Sequence, residues 1–336
     1  MIKALTPIRF ALCMMIFFHH AYGYDAGGAP AVAAFFMLSG FCMTLGYKER
    51  ILSADFDYFG FIKKRLCKIY PIHWITLLAK ILIAILLTQT FIIEKRIFIA
   101  NLFLLQSWIP DQSYYFSYNA IAWYLSTALF AYLCFPMLVM FFGKLNHKQR
   151  LLVLCGILLA YSVTVIAMPS VNYHAMIYIH PCSRLCDFII GMFLADFYMD
   201  RDWCGSNRYK CLINIGIISS FVALNVVSVY TPFEYRSIGA VYWIPAAFLI
   251  LLTSISEKSS SLFSKCMSWK GVQIFTQCAF SLMMWSKCVI IIFRGLNIQN
   301  GMWAAVVMFV GTYAIAQLSY YMIERNMTTW IINKVK

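Results

Sequence analysis

The chain is assembled from apolar runs of membrane-crossing length. A helix needs roughly 20 consecutive apolar residues to cross a ~30 Å hydrocarbon core. Runs of that kind recur near 4–22, 29–47, 70–91, 119–142, 151–168, 180–199, 211–230, 237–254, 272–294 and 301–322. Only helices and closed barrels satisfy every backbone polar group in lipid, and runs of this length are helical. The expected fold is an all-α, polytopic integral membrane bundle of about ten transmembrane helices. Composition agrees: 62% of residues are apolar, 12% are charged, and mean hydropathy is +0.75. No repeat, low-complexity tract or linker divides the chain, so residues 1–336 are expected to form one transmembrane domain with no appended soluble domain.

The stretch 97–109 is apolar but short, which predicts a re-entrant or buried helix rather than a span. The charges support that count. With ten spans and a cytoplasmic N-terminus, the junctions 48–69, 143–150, 200–210 and 255–271, together with Lys3 and the tail residues Arg325, Lys334 and Lys336, lie inside. They carry roughly five times more basic residues than the outside junctions, which hold Lys95, Arg96, Arg236 and Arg294, as the positive-inside rule requires. Both termini are therefore expected in the cytoplasm. Counting 97–109 as a span would put Lys144, Lys148 and Arg150 outside.

The net charge of +14 is spread over short junctions without a nucleic-acid module, so topology explains it and no nucleic-acid partner is expected. Arg9, His19 and His20 interrupt the first apolar run, which is read as a retained helix rather than a cleaved signal. Twelve cysteines are scattered without C-x-x-C or zinc-like spacing and read as small buried hydrophobes; no metal is expected.

Ionisable side chains inside apolar spans cost about 2.5–3.5 kcal/mol each on insertion scales, so each needs a partner, a wet cavity or a task. Arg9, His19, His20, Lys80, Arg184, Asp187 and Lys287 are of this kind. Arg9 and His20 are eleven residues apart, which on a helix leaves them ~20° apart in azimuth and ~16 Å apart along the axis. His19 lands about 80° from Arg9, so the two histidines are not interchangeable. Arg184 and Asp187, three apart on one face, are expected to neutralise each other in a structural or pore-shaping role.

These residues fall in a set of ordered motifs. The run L-T-P-I-R-F-A-L-C-M-M-I-F-F-H-H places an arginine and a histidine with ten residues between them, at Arg9 and His20. It is followed by A-F-F-M-L-S-G-F (34–41), F-I-K-K-R-L-C-K-I-Y-P-I-H-W (61–74), A-W-Y-L-S-T-A-L-F-A-Y-L-C-F-P (122–136) and P-C-S-R-L-C-D-F-I-I-G-M (181–192). In this order the chain resembles the membrane-bound acyltransferase 3 family over nearly its whole length. It departs from the family pattern at Lys68 (arginine), Tyr124 (serine), Ala128 (glutamate), Asp187 (glutamate) and Ser286 (histidine). The terminal E-x-P is here Glu324-Arg325-Asn326.

The resemblance implies transfer of an acyl group, most often acetyl, from cytoplasmic acyl-CoA to a hydroxyl of an envelope carbohydrate or glycolipid, with acetyl-CoA as donor substrate and no bound cofactor. It also implies a multi-pass protein of the bacterial inner membrane. Histidine supplies a base near neutral pH with least perturbation, which makes His20, with Arg9, the catalytic candidate. Lys64, Arg65, Lys68 and Arg9 are the candidates for the CoA phosphates. Ser39, Trp123, Tyr124, Arg184 and Asp187 are candidates for acceptor binding or pore lining. Tyr114, Tyr115, Tyr118 and Trp108 belong to an outer aromatic belt that could also stack on sugar rings. A transporter of a small solute or lipid, or a non-catalytic envelope assembly relative, would also use intramembrane charge.

Overall fold

A computed structural model of the chain describes residues 2–23, 27–88, 92–203, 207–298 and 301–327; the expected tail cations Lys334 and Lys336 and the end of the third expected span, 89–91, lie outside these. All regular secondary structure among the described residues is helical. The helices, in chain order, are α1 (Leu5–Tyr22), α2 (Gly28–Ile51), α3 (Tyr58–Thr88), α4 (Lys95–Leu102), α5 (Gln112–Tyr115), α6 (Ala122–Gly143) and α7 (His147–Ala167). There follow α8 (Pro181–Met199), α9 (Asn207–Tyr230), α10 (Trp243–Lys258), α11 (Leu262–Met267), α12 (Lys270–Thr276), α13 (Ala279–Gly295) and α14 (Met302–Ser319). A π-helical turn (Tyr173–Ile179) precedes α8 and another (Tyr320–Glu324) follows α14.

Among the described residues, seven helices are long and apolar enough to cross a membrane, and nine spans result if each of two bent pairs counts as one. The chain is a multi-pass membrane protein. One bent pair joins the turn before α8 to α8 at 56°, the other joins α12 to α13 at 41°. The first bend has a local cause. Pro181 occupies the first helical position, where its missing N–H costs nothing, and it holds His180 in an extended conformation (φ −62°, ψ 133°). α1, interrupted by Arg9 and the two histidines, ends in a left-handed Gly23 (φ 78°) whose N–H caps the Phe18 carbonyl.

Two boundaries differ from the sequence expectation. The junction expected over 48–69 shrinks to 52–57, because α2 continues to Ile51 and α3 begins at Tyr58, so Lys63, Lys64, Arg65 and Lys68 stand on helix rather than in a loop. Pro71 lies inside α3 instead of opening it. The stretch expected as one short helix over 97–109 is α4 followed by a 3₁₀ turn (Gln106–Trp108). Its Ala100, Asn101, Leu104, Gln106 and Ser107 are buried, while Ile99, Phe103 and Leu105 face outward.

α2 is the central element, buried along most of its length, whereas α7 and α9 stand at the rim. Its most extensive partner is α8. The approach is close because Gly40 and Gly191 face each other's helix: a methyl on Gly40 would strike the Phe188 carbonyl, and one on Gly191 the Met37 carbonyl. At one end of the pair, Asp196 of α8 binds Lys48 of α2 at 2.6 Å and Arg150 of α7 at 3.4 Å.

Candidate active site

α1, α2, α6 and α13 surround two cavities arranged in line along their axes. α1 and α13 run the length of both. α1 contributes Arg9 and Cys13 to the first cavity and Ile16, His19 and His20 to the second; α13 contributes Ala279 and Phe280 to the first and Lys287 to the second. α2 does the same in reverse order, with Phe35, Ser39 and Tyr47 in the first and Gly28 and Val32 in the second. The expected separation of Arg9 from His20 along one helix thus becomes a separation between two chambers.

The first cavity encloses about 650 Å³ and is strongly cationic. Arg9, Arg50, Lys64, Arg65 and Lys68 line it, and among the described residues no carboxylate does. Arg65 is held in place: its guanidinium donates to the Tyr47 hydroxyl and lies 4.7 Å from the Tyr47 ring centre and 5.4 Å from that of Phe61. Its Nε is buried without a partner. Lys68 is exposed to the cavity space and Ser39 is half-buried in its wall. The sequence reading gave Arg50 and Tyr47 no site role, because Arg50 fell within the 48–69 stretch taken as loop and Tyr47 at its edge. The gathering of cations suits a polyanion, and the guanidinium forks of Arg9 and Arg65 suit phosphate oxygens in particular.

The second cavity, about 350 Å³, is lined by His19, His20, Trp123, His174, Tyr178 and Lys287 among others. Trp123 and Tyr178 pack with ring centres 5.0 Å apart. His174 lies against Tyr178 at 5.2 Å and Phe116 at 5.4 Å, and its Nδ1 is 3.4 Å from the Tyr115 hydroxyl. The Gly28 backbone allows the His19 ring to pass; a methyl there would come within 3.0 Å of it. His20 is half-buried, and its carbonyl accepts from Arg294 at 2.9 Å. Lys287, noted in the sequence as an intramembrane charge, was given no role there because its neighbourhood departs from the family pattern, and His174 was not noted because it falls in the turn just before the 181–192 motif.

Tyr124 and Met283 line both cavities and so form the partition between them. Their positions are fixed by polar ties at the start of α6. The Ser107 hydroxyl donates to the Trp123 carbonyl (2.8 Å), the Asn119 amide to the Met284 carbonyl (3.1 Å), and the Thr127 hydroxyl to the Ile179 carbonyl (3.0 Å). Three departures from the family pattern therefore fall on the walls: Tyr124 is the partition, and Lys68 and Ala128 line the first cavity. Ser286 is buried with its hydroxyl on the Met283 carbonyl, while its neighbour Lys287 reaches the second cavity. Glu324 accepts a hydrogen bond from Ser281, joining the ends of the two late motifs.

Arg184 and Asp187 line neither cavity. They form a fully buried pair (2.6 Å) behind the second cavity's wall. Asp187 also accepts from the Trp243 indole, and Arg184 donates to the carbonyls of Tyr178 (2.8 Å) and Ser237 (3.2 Å) while stacking on the Tyr178 ring at 4.8 Å. The pair thus braces Tyr178, a wall residue. Among the described residues, no three His, Cys, Asp or Glu side chains gather as a metal would require.

The apolar helices thus enclose a cationic chamber and, in line with it, an imidazole-bearing one. The acyltransferase domain model of the acyltransferase 3 family matches residues 2–321, and the chain belongs to that family. It is similar to the O-acetyltransferase OatA of Staphylococcus aureus, 26% identical over 94% of this chain and 55% of that protein. It is similar also to the peptidoglycan O-acetyltransferase OatA of Listeria monocytogenes (25%, 94% and 53%) and to the putative peptidoglycan O-acetyltransferase YrhL of Bacillus subtilis (24%, 98% and 55%). The chain spans about half the length of these relatives. No solved structure matches it significantly.

Proposed function

We propose that this chain is an inner-membrane O-acetyltransferase that moves an acetyl group from cytoplasmic acetyl-CoA to a hydroxyl of a cell-envelope carbohydrate. The observation that carries this reading is the pair of in-line cavities meeting at Tyr124 and Met283, with Arg9 in one and His20 in the other. In this reading α1 is a tenth span, both termini face the cytoplasm, and the cavity with Arg50, Lys64, Arg65 and Lys68 opens to the cytoplasm, as their charge requires.

The CoA phosphates are held by Arg9, Arg65, Lys64 and Lys68, and the thin pantetheine arm carries the thioester toward the partition. The acceptor lies in the second cavity, its ring against Trp123. His20 takes the proton of the attacking hydroxyl as that oxygen bonds to the thioester carbonyl carbon; the carbon–sulfur bond breaks, and the CoA thiolate recovers a proton from the imidazolium. An acyl-His20 intermediate would use the same imidazole in two steps, and ping-pong kinetics would distinguish the two routes. The peptidoglycan named for two relatives makes an amino-sugar polymer a natural first acceptor to try.

The test is acetyl-CoA consumption by purified protein in nanodiscs, with His20→Ala beside the unaltered chain. Loss of consumption in the variant supports the reading, and equal consumption by both overturns it.

A further inference from the structure

We infer that the second cavity receives an acidic sugar and that Lys287 pairs with its negative group. This rests on the acyl-transfer reading only for the word acceptor; the binding site itself stands on the geometry around Lys287.

Lys287 is half-buried in the middle of α13, and it lines the second cavity. An ammonium at that depth is costly without a partner. Among the described residues no carboxylate comes within ion-pair distance of it, and none lines the cavity. The charges nearby make the deficit larger. The Lys80 ammonium of α3 donates to the Lys287 carbonyl at 3.4 Å. Arg294 lies seven residues further along α13, two turns away on the same face, with its guanidinium on the His20 carbonyl. Two further cations thus lie close to Lys287, which alone of the three lines the chamber.

The other walls select a sugar over a bare anion. Phe116, Trp123 and Tyr178 place aromatic rings in the cavity wall, and aromatic rings pack on the apolar faces of pyranose rings. The CoA phosphates do not answer the Lys287 charge, because Tyr124 and Met283 separate it from the first cavity's cations. Beside a neutral sugar the ammonium would meet no counter-charge among the described residues, whereas an acidic sugar fills both requirements at once.

The experiment compares glucuronate, glucose and acetate as ligands for the whole protein in nanodiscs by titration calorimetry, with acetyl-CoA consumption measured on the same samples. Glucuronate should bind at least tenfold more tightly than either glucose or acetate. The preference should fall to near parity in Lys287→Gln and persist in Lys287→Arg. Equal binding of glucuronate and glucose, no binding of either, acetate binding as tightly as glucuronate, or a preference untouched by Lys287→Gln would each overturn the inference. The sugar comparison on the unaltered chain needs no folded variant. Preferential glucuronate binding without acetyl-CoA consumption would sink the acyl-transfer reading and leave the acidic-sugar site standing; consumption without the preference would do the reverse.

Discussion

Gly40 and Gly191 face each other across the α2–α8 contact so closely that a methyl on either would overlap a carbonyl of the opposite helix. Each lies in one of the ordered motifs, S-G-F on α2 and I-G-M on α8. Gly191→Ala is expected to force the helices apart at a cost of about 1–3 kcal/mol, the range for overpacking. Thermal unfolding in detergent should show a lower midpoint, and an unchanged midpoint would mean that α8 moves aside freely.

His20 and His19 should separate in function as they do in azimuth. His20→Ala is expected to lower acetyl transfer by about 10²–10⁴-fold, the usual contribution of a positioned base. His19→Ala, whose ring packs on Gly28, should cost far less. Steady-state rates for the two variants side by side decide this, and equal losses would remove His20 from its special place.

Arg65 is pre-positioned by Tyr47 and has one donor still unpaired. Arg65→Ala should raise the acetyl-CoA KM by roughly 10- to 100-fold, corresponding to charge-assisted bonds of about 1.5–3 kcal/mol, with a smaller effect on kcat. Tyr47→Phe should produce a weaker effect in the same direction. A fall in kcat at constant KM would contradict the phosphate-binding role.

Tyr124 blocks the line between the chambers. Replacing it with alanine should let longer acyl chains approach, so the kcat/KM ratio of hexanoyl-CoA to acetyl-CoA is expected to rise about tenfold. A ratio that stays constant would show that chain length is limited elsewhere.

Asp187→Ala strands the Arg184 guanidinium in a fully buried position. The expected loss is about 3–5 kcal/mol, the range for breaking a buried pair from one side. The double change Arg184→Met with Asp187→Leu should recover much of it. Unfolding midpoints of the two variants provide the comparison, and a double variant no better than the single one would show that the bonds to Tyr178, Ser237 and Trp243 matter more than the charges.

What the sequence made legible was local. The spacing of Arg9 and His20 is a property of one helix, and it carried over intact because α1 is a single continuous element. The mutual neutralisation of Arg184 and Asp187 was readable from their three-residue spacing for the same reason. The start of α3 was misplaced because Lys63 to Lys68 look too polar for helix beside a membrane. They are tolerated there because the partner helices hollow out a cavity for three of them, and no window of sequence displays that cavity. His174 and Arg50 were missed likewise, and Lys287, noted as a buried charge, had no role: each gains meaning only when α13, the turn before α8 and the end of α2 converge.

The shared wall has an evolutionary consequence. Tyr124 and Met283 line both chambers, so under the proposed function a substitution at either position alters what the protein accepts from both directions together. Under that function donor and acceptor preferences are expected to be coupled traits. A lineage that changes its glycan by mutating this wall would have to retune its acyl group in the same step, whereas changes at Lys287 or Arg65 leave that coupling untouched.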